Sequence, residues 1–328
     1  MGTVGCVAFF PGTRLHVVTG KGGTGKTTVA AALAVALSRG GRRVLIAEVE
    51  GRQGLAPLFG RGPLPHGETE VTRTEGGGSV SVMPVDPERA LIEYLDLFYH
   101  LGRAGKVLQK MGAVDFVTTI APGLRDVLLI GKVKEAAVRR SGSGRYYDAV
   151  VLDAPPTGRI VRFLGATDEV AQIAKVGPIR TQSEQVMALL RGDESAVHLV
   201  TLLEEMPVQE TIDGAGHLTG AGLPLGAVVV NKVRPERLTK ADLTRAAQGR
   251  LDLDAVGATL AEAGLTEPGL AKVLADEAAE HARRVALQQQ ERRELADLDL
   301  PLVELPLVPE TVDLGTVSRL ADRLGEAP

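Results

Sequence analysis

The residues Gly20-Lys21-Gly22-Gly23-Thr24-Gly25-Lys26-Thr27 constrain this chain more than any others. They fit the spacing G-x-x-x-x-G-K-[ST], follow the apolar run Leu15–Thr19 directly, and lead into Thr27–Ser38, an Ala/Val/Leu stretch ended by Gly40-Gly41. A strand that enters a glycine turn and leaves as a helix gathers backbone N–H groups and the positive end of a helix dipole at one point, which suits a phosphate. Gly22, Gly23, Thr24 and Gly25 are then the cradle. Lys26 reaches the β- and γ-phosphate oxygens, the Thr27 hydroxyl serves Mg²⁺, and Thr28 donates to the α-phosphate.

A second apolar run, Val44–Ala47, completes a strand–helix–strand unit within about 35 residues. Further strands are expected at Val80–Val85, Ala149–Leu152, His198–Leu202, Ala227–Val230 and Leu302–Leu305, and a last helix at 311–325. Residues 51–80 read as loop with short edge strands, and 141–144 as a turn. The alternation predicts an α/β fold, a doubly wound, mainly parallel sheet of the P-loop NTPase type. The organisation expected is a flexible leader over 1–13 and one domain over 14–328. Within it lie a helical insertion subdomain at about 87–140 and a further helical segment at about 236–298.

Composition narrows the function. Only 3% of the 328 residues are aromatic while 44% are hydrophobic, so the core must be aliphatic. With a single cysteine, Cys6, the chain cannot make an internal disulfide, a thiolate zinc site or an iron–sulfur cluster by itself. The 37 basic and 41 acidic residues leave a net charge of −4, no footprint for nucleic acid. The six histidines are scattered without metal spacing. No apolar stretch reaches the ~18 residues of a membrane span, and no secretory leader is evident, so a cytoplasmic protein is expected, peripheral to a membrane through a partner at most.

Tyr147–Asp153 is an apolar strand ending in an acid, and Asp153 is placed to hold a Mg²⁺-bound water. Asn231-Lys232 follows the strand Ala227–Val230. Three residues after Asn231, where a guanine reader needs an acceptor, stands Arg234, a donor only, so adenine is expected, with Asn231 at the base edge.

Several motifs carry a resemblance. Gly20–Thr28 reads GKGGTGKTT, the deviant Walker A form; Asp153–Leu164 is similar to a D-x-x-P-T-G-H-x-x-R-x-L switch segment; His198–Thr211 is similar to a V-T-x-P-E-x(5)-E-T segment. Together they resemble the arsenical-pump ATPase family, which includes the eukaryotic ATPase that delivers tail-anchored membrane proteins; the nearest type is its actinobacterial branch. The resemblance implies ATP and ADP as ligands and a dimer, either of identical chains or with a paralogous ATPase, in which Lys21 crosses to the partner's nucleotide. It also implies Gly158 as a γ-phosphate sensor, Glu50 in the place of the carboxylate that positions the attacking water, and Glu48 as a second acid near the metal. Pro306 and Val308 fall in its adenine-side loop. The chain departs from the pattern at Arg159, where His is usual, and at Leu203, where Pro is usual.

One cysteine also argues against an arsenite site and against the zinc clasp of the targeting ATPases. The apolar residues Leu91, Ile92, Leu95, Leu97, Phe98 and Tyr99, and Leu124 with Val127–Ile130, belong either to a core or to a groove for a hydrophobic client. The expectation is a slow or partner-stimulated, Mg²⁺-dependent ATPase acting as a dimeric switch on a hydrophobic client or partner. The alternatives are the energising subunit of an anion transporter, with a membrane-protein partner, and a regulatory module with little turnover.

Overall fold

The expected strands Leu15–Thr19 and Val44–Ala47 are aliphatic at successive positions, His16 and Thr19 excepted, as strands of a sheet covered on both faces are. The computed structural model describes residues 11–51, 53–86, 89–90, 122–142, 144–173, 178–308 and 311–326, and it contains that sheet. Its chain-ordered elements begin β1 (Leu15–Gly20), α1 (Lys26–Ser38), β2 (Arg43–Glu48), α2 (Leu55–Leu58), β3 (Thr69–Arg73) and β4 (Ser79–Pro84). They continue with α3 (Pro122–Val138), β5 (Arg140–Ser141), β6 (Gly144–Arg145), β7 (Ala149–Asp153), α4 (Thr157–Ile173) and α5 (Pro178–Leu190). The rest are β8 (Ser195–Thr201), α6 (Glu205–Gly220), β9 (Leu225–Val233), α7 (Lys240–Ala247), α8 (Leu253–Glu262), α9 (Leu270–Ala296), β10 (Leu302–Pro306) and α10 (Leu314–Gly325).

Eight strands form one sheet in the order β10-β9-β8-β1-β7-β2-β4-β3, parallel except for the edge strand β3. β1 sits between β7 and β8, so the phosphate-loop strand is central and its C-terminal end opens among the ends of its neighbours. Side chains alternate between two cores. Leu15, Val17, Leu45 and Ala47 face the one shared with α3, α4, α5 and α6; Val18, Val44 and Ile46 face the other, with α1 and α10. Burying both faces accounts for the continuous apolar strands.

Where a loop was expected over 51–80, the structure adds the helical turn α2, which buries Leu55 and Ala56, besides the edge strand β3. The expected turn at 141–144 is the end of the small β5–β6 hairpin. Of the expected insertion, α3 and β5 are described, and Val127, Leu128, Leu129 and Ile130 are buried. Cys6 and the apolar stretch Leu91–Tyr99 lie outside the described residues. No helix among the described residues is long and apolar enough to cross a membrane.

Candidate active site

β1 ends in Gly20 because nothing larger fits: a Cβ there would stand 2.1 Å from the Val200 carbonyl oxygen of β8. The chain then curls through Gly23 and Gly25, both at positive φ, and Gly25 makes the left-handed N-cap of α1. A side chain at Gly25 would strike the Asn231 Nδ2 at 2.4 Å. Among the described residues no side chain caps α1, and its first turn carries no acid, so the helix end keeps its amides and partial positive charge for a ligand.

The acidic side of the site follows from register. Glu48 of β2 stands beside Asp153 of β7, and Asp153 beside Val18 of β1. Two carboxylates are therefore brought to one edge of the loop. The Thr27 hydroxyl donates to Asp153 Oδ2 at 2.8 Å. Burial pushes the Asp153 carboxyl up to about 6, and the negative charges of Glu48 and Glu50 add to the rise while Thr27 and Lys26 oppose it. Glu48 is also raised by burial; its Oε1 accepts from the Gly54 N–H at 2.6 Å, whereas its buried Oε2 has no partner among the described residues. Clustered hard oxygens with one orphaned atom are a donor set that fits a Mg²⁺ ion.

Glu50 lies two residues past β2 with its side chain largely covered, and Arg159 Nη1 is 3.9 Å from its Oε1. Thr157 and Gly158 open α4, directly after the segment that follows Asp153. That segment is tied to the phosphate-loop strand by the Thr19 hydroxyl, which donates to the Pro155 carbonyl at 2.7 Å.

Two expected residues hold contacts the sequence did not announce. Lys21 donates to Glu210 Oε1 of α6 at 2.6 Å within the same chain. Asn231, expected at a base edge, braces the phosphate loop: its Nδ2 donates to the Thr24 carbonyl at 2.8 Å and its Oδ1 accepts from the Lys232 N–H at 2.9 Å. Lys232, at φ +55°, adds a second brace by donating to the Gly23 carbonyl at 3.1 Å. Pro306 ends β10 opposite Val233, while Val308 turns to the α1-side core. Thr28 is half-buried in the first turn of α1, and the Lys26 Nζ donates to the Lys21 carbonyl at 3.4 Å.

With this geometry in place, comparison with known proteins is informative. The profile of the family described as anion-transporting ATPase matches residues 13–192, more than half of the chain. This chain belongs to the anion-transporting ATPase family. It is 49% identical over 326 residues to the ATPase BagA of Mycobacterium tuberculosis, covering 99% of this chain and 96% of that one. It is 27% identical over 252 residues to a putative arsenical pump-driving ATPase 2 of Aquifex aeolicus, 68% of this chain and 81% of that one. It is also similar to the ATPase GET3 of Kluyveromyces lactis, 28% over 201 residues, 59% of this chain and 56% of that one. The chain described here is thus an ATP-binding and ATP-hydrolysing α/β protein. Sequence reasoning missed Glu210 and Lys232 as loop partners. Glu210 did sit in the E-T pair of the segment His198–Thr211, but nothing in the sequence said which cation it would meet.

Proposed function

We propose that this ATPase is a Mg²⁺-dependent dimeric switch, built from two copies or with a paralogous ATPase, that acts on a hydrophobic client segment. The observation that supports its Mg²⁺-dependent nucleotide chemistry is the Thr27–Asp153 hydrogen bond at the mouth of the phosphate loop, with Glu48 in register beside it.

The loop amides of Gly22–Gly25 and the Lys26 ammonium bind the phosphates of ATP, and Thr28 adds a donor at the start of α1. Thr27 and Asp153 would hold a Mg²⁺ ion, which would supply charge neutralisation on the phosphate oxygens. Glu50 is placed to orient a water for in-line attack on the γ-phosphorus. The new P–O bond forms as the bond to the β–γ bridging oxygen breaks, giving ADP and phosphate, and Lys26 steadies the charge on the leaving side. Gly158, at the start of α4, is the amide that would report the γ-phosphate to the rest of the switch.

Glu50 is one methylene longer than the family's usual Asp, and Arg159 lies near enough to compete for it. Both features support slow or partner-stimulated turnover. The dimer reading rests on Lys21, which has to leave Glu210 before it can reach a neighbouring nucleotide. The client reading rests on the likeness to the family whose members include the tail-anchor ATPase; of the two apolar stretches weighed for such a client, Val127–Ile130 is buried in the core and Leu91–Tyr99 lies outside the described residues.

The test has two readouts on the full chain. Steady-state phosphate release should fall about a hundredfold or more in Glu50→Gln, the usual worth of a positioned general base; turnover equal to wild type removes Glu50 from the mechanism. Sedimentation with ATP and Mg²⁺ should show a dimer that Lys21→Ala loses and that Glu210→Gln forms at lower protein concentration. A dimer indifferent to Lys21 overturns the crossing role. If Glu50→Gln loaded with ATP captures only a paralogous ATPase, the client is wrong and a regulatory module remains.

A further inference from the structure

Exposed apolar side chains are concentrated on one arm of the molecule. Among the described residues eight large hydrophobic side chains are exposed, and five of them, Leu253, Leu265, Val273, Leu274 and Leu287, belong to α8, α9 and the turn that joins them. A single exposed leucine needs no explanation, whereas a concentration of this kind marks a surface that something covers. α8 is the extreme case. Seven of its ten residues are Leu, Val, Ala or Gly, and none is buried. α1, of similar composition, buries every residue from Val29 to Ser38. A helix of ten residues does not hold in water by propensity alone and depends on a packed face. One flank of α8 leans on α9: Val256 and Leu260 are half-buried there, and a Cβ at Gly257 would stand 3.9 Å from the Ala271 Cβ. On the other flank Ala255, Ala258 and Ala261 stay exposed. α8 also carries Asp254 and Glu262 and no base, and neither acid has an ion-pair partner among the described residues.

A groove of about 700 Å³ between α7 and α9 has the opposite character. Its floor is Leu243, Ala247, Ala282 and Val285, its rim is Lys240, Arg292 and Arg293, and no acid is among the residues lining it. Arg292 is taken up by Glu304 of β10, but Lys240 and Arg293 have no ion-pair partner among the described residues. An apolar acidic helix and an apolar groove with a basic rim are complementary in both respects. The chain's own α8 rests at Ala271, and the groove begins at Ala282, about 16 Å further along α9. While it stays packed on its own α9, α8 therefore reaches such a groove only on another chain. The arm also lies on the side of the molecule that binds the nucleotide: Leu287 and Gln288 border the same cavity as Asn231, whose amide holds Thr24 of the phosphate loop. A lasting interface buries about 1,200–2,000 Å², more than two exchanged lysines can cover.

We propose that α8 is an interface with a second copy of this chain: α8 of each protomer lies in the α7–α9 groove of its partner, with Asp254 and Glu262 against Lys240 and Arg293. The exchange is reciprocal, so it closes on itself as a two-fold dimer requires. The inference rests on the dimer reading and gives that dimer its apolar contact and its choice of partner.

Charge reversal on the full chain tests it, by sedimentation with ATP and Mg²⁺. Lys240→Glu/Arg293→Glu makes the groove acidic, and Asp254→Lys/Glu262→Lys makes α8 basic. Each pair trades one favourable and one unfavourable charge at helix ends, so the helices themselves are little affected. Each variant alone should self-associate about tenfold more weakly than wild type, or worse, because acid then faces acid or base faces base. An equimolar mixture of the two should dimerise as wild type does, since both halves of the exchange again pair opposite charges. A chain carrying all four substitutions should dimerise with itself for the same reason, which guards against misfolding of either parent. Reversed variants that dimerise like wild type, or a mixture and a four-site chain that both stay monomeric, overturn the contact; a dimer that Lys21→Ala still loses then leaves the nucleotide-dependent switch standing. A wild type that stays monomeric with ATP, or pairs only once a paralogous ATPase is added, overturns the second copy as the occupant.

Discussion

At the scale of single residues, the site is held by groups that cost stability when no ligand is bound. Asp153 is the clearest case, because its carboxyl titrates near 6 against an ordinary value of 3.8. The folded protein therefore binds more protons than the unfolded chain between those values, and stability falls as pH rises through that window. Above it, the ionised Asp153 works against the fold by on the order of 3 kcal/mol. Asp153→Asn keeps an acceptor for the Thr27 hydroxyl and removes the charge. Without nucleotide and in a chelator, it should melt at higher temperature than wild type at pH 7.5, with the advantage shrinking as pH drops through 6. Mg²⁺-dependent phosphate release should be lost in the same variant. An Asn variant no more stable than wild type would mean that Asp153 is better solvated than its burial implies. The glycines act at the same scale for a different reason: at Gly20 and Gly25 a Cβ would stand 2.1 Å from the Val200 carbonyl of β8 and 2.4 Å from the Asn231 amide of β9.

At the scale of elements, α1 explains how the loop is kept rigid. Every residue from Val29 to Ser38 is buried, on all sides of the helix. One flank lies on the sheet and the other under α10, where Val317, Leu320, Ala321 and Leu324 complete the same core. Alanine fills the close contacts because the sheet and α10 leave no room for more. Ala34→Leu, at a fully buried position, should cost about 1–3 kcal/mol by overpacking, read as a shift in the denaturation midpoint. It should also loosen nucleotide binding, since α1 and the loop are continuous. A neutral substitution there would show that α10 can move aside. The elements of the 236–298 segment are bound less tightly: α8 buries no residue, and α9 buries Ala282, Val285, Glu291 and Leu295.

At the scale of the whole molecule, stability against pH is set partly by a pair of histidines far apart in sequence and central in the sheet. His16 of β1 and His198 of β8 are buried, with Nδ1 of the first 3.1 Å from Nε2 of the second. His198 Nδ1 accepts the Ala227 N–H at 3.2 Å, so its Nε2 carries the proton and donates to His16. Burial lowers His198 to about 4, and burial, His198 and Arg42 lower His16 well below its ordinary value. In the unfolded chain both protonate near 6.5. The pair's contribution is whole above that pH and is lost as pH falls from about 6.5 towards 4. Asp153 and Glu48, raised by burial, act in the opposite sense at the lower end of that range. The isolating measurement is therefore a difference: the melting temperature of wild type should drop more between pH 7 and 5 than that of a His16→Leu/His198→Leu variant. Equal slopes would sink this account.

The division between what the sequence determined and what the structure decided follows from range. The phosphate loop, its helix, Thr27 and Asp153 were legible because each is a local pattern, a glycine spacing or an acid at a strand end, and backbone geometry fixes its chemistry within a few residues. The parallel sheet was legible because strands buried on both faces must be continuously apolar. The partners of Lys21 and Asn231 were not legible. Glu210 is 189 residues from Lys21, and Thr24 is 207 from Asn231. No local pattern encodes such pairs. They exist because parallel pairing in the order β10-β9-β8-β1-β7-β2 lays distant strand ends side by side, and only the packed sheet sets which donor meets which acceptor.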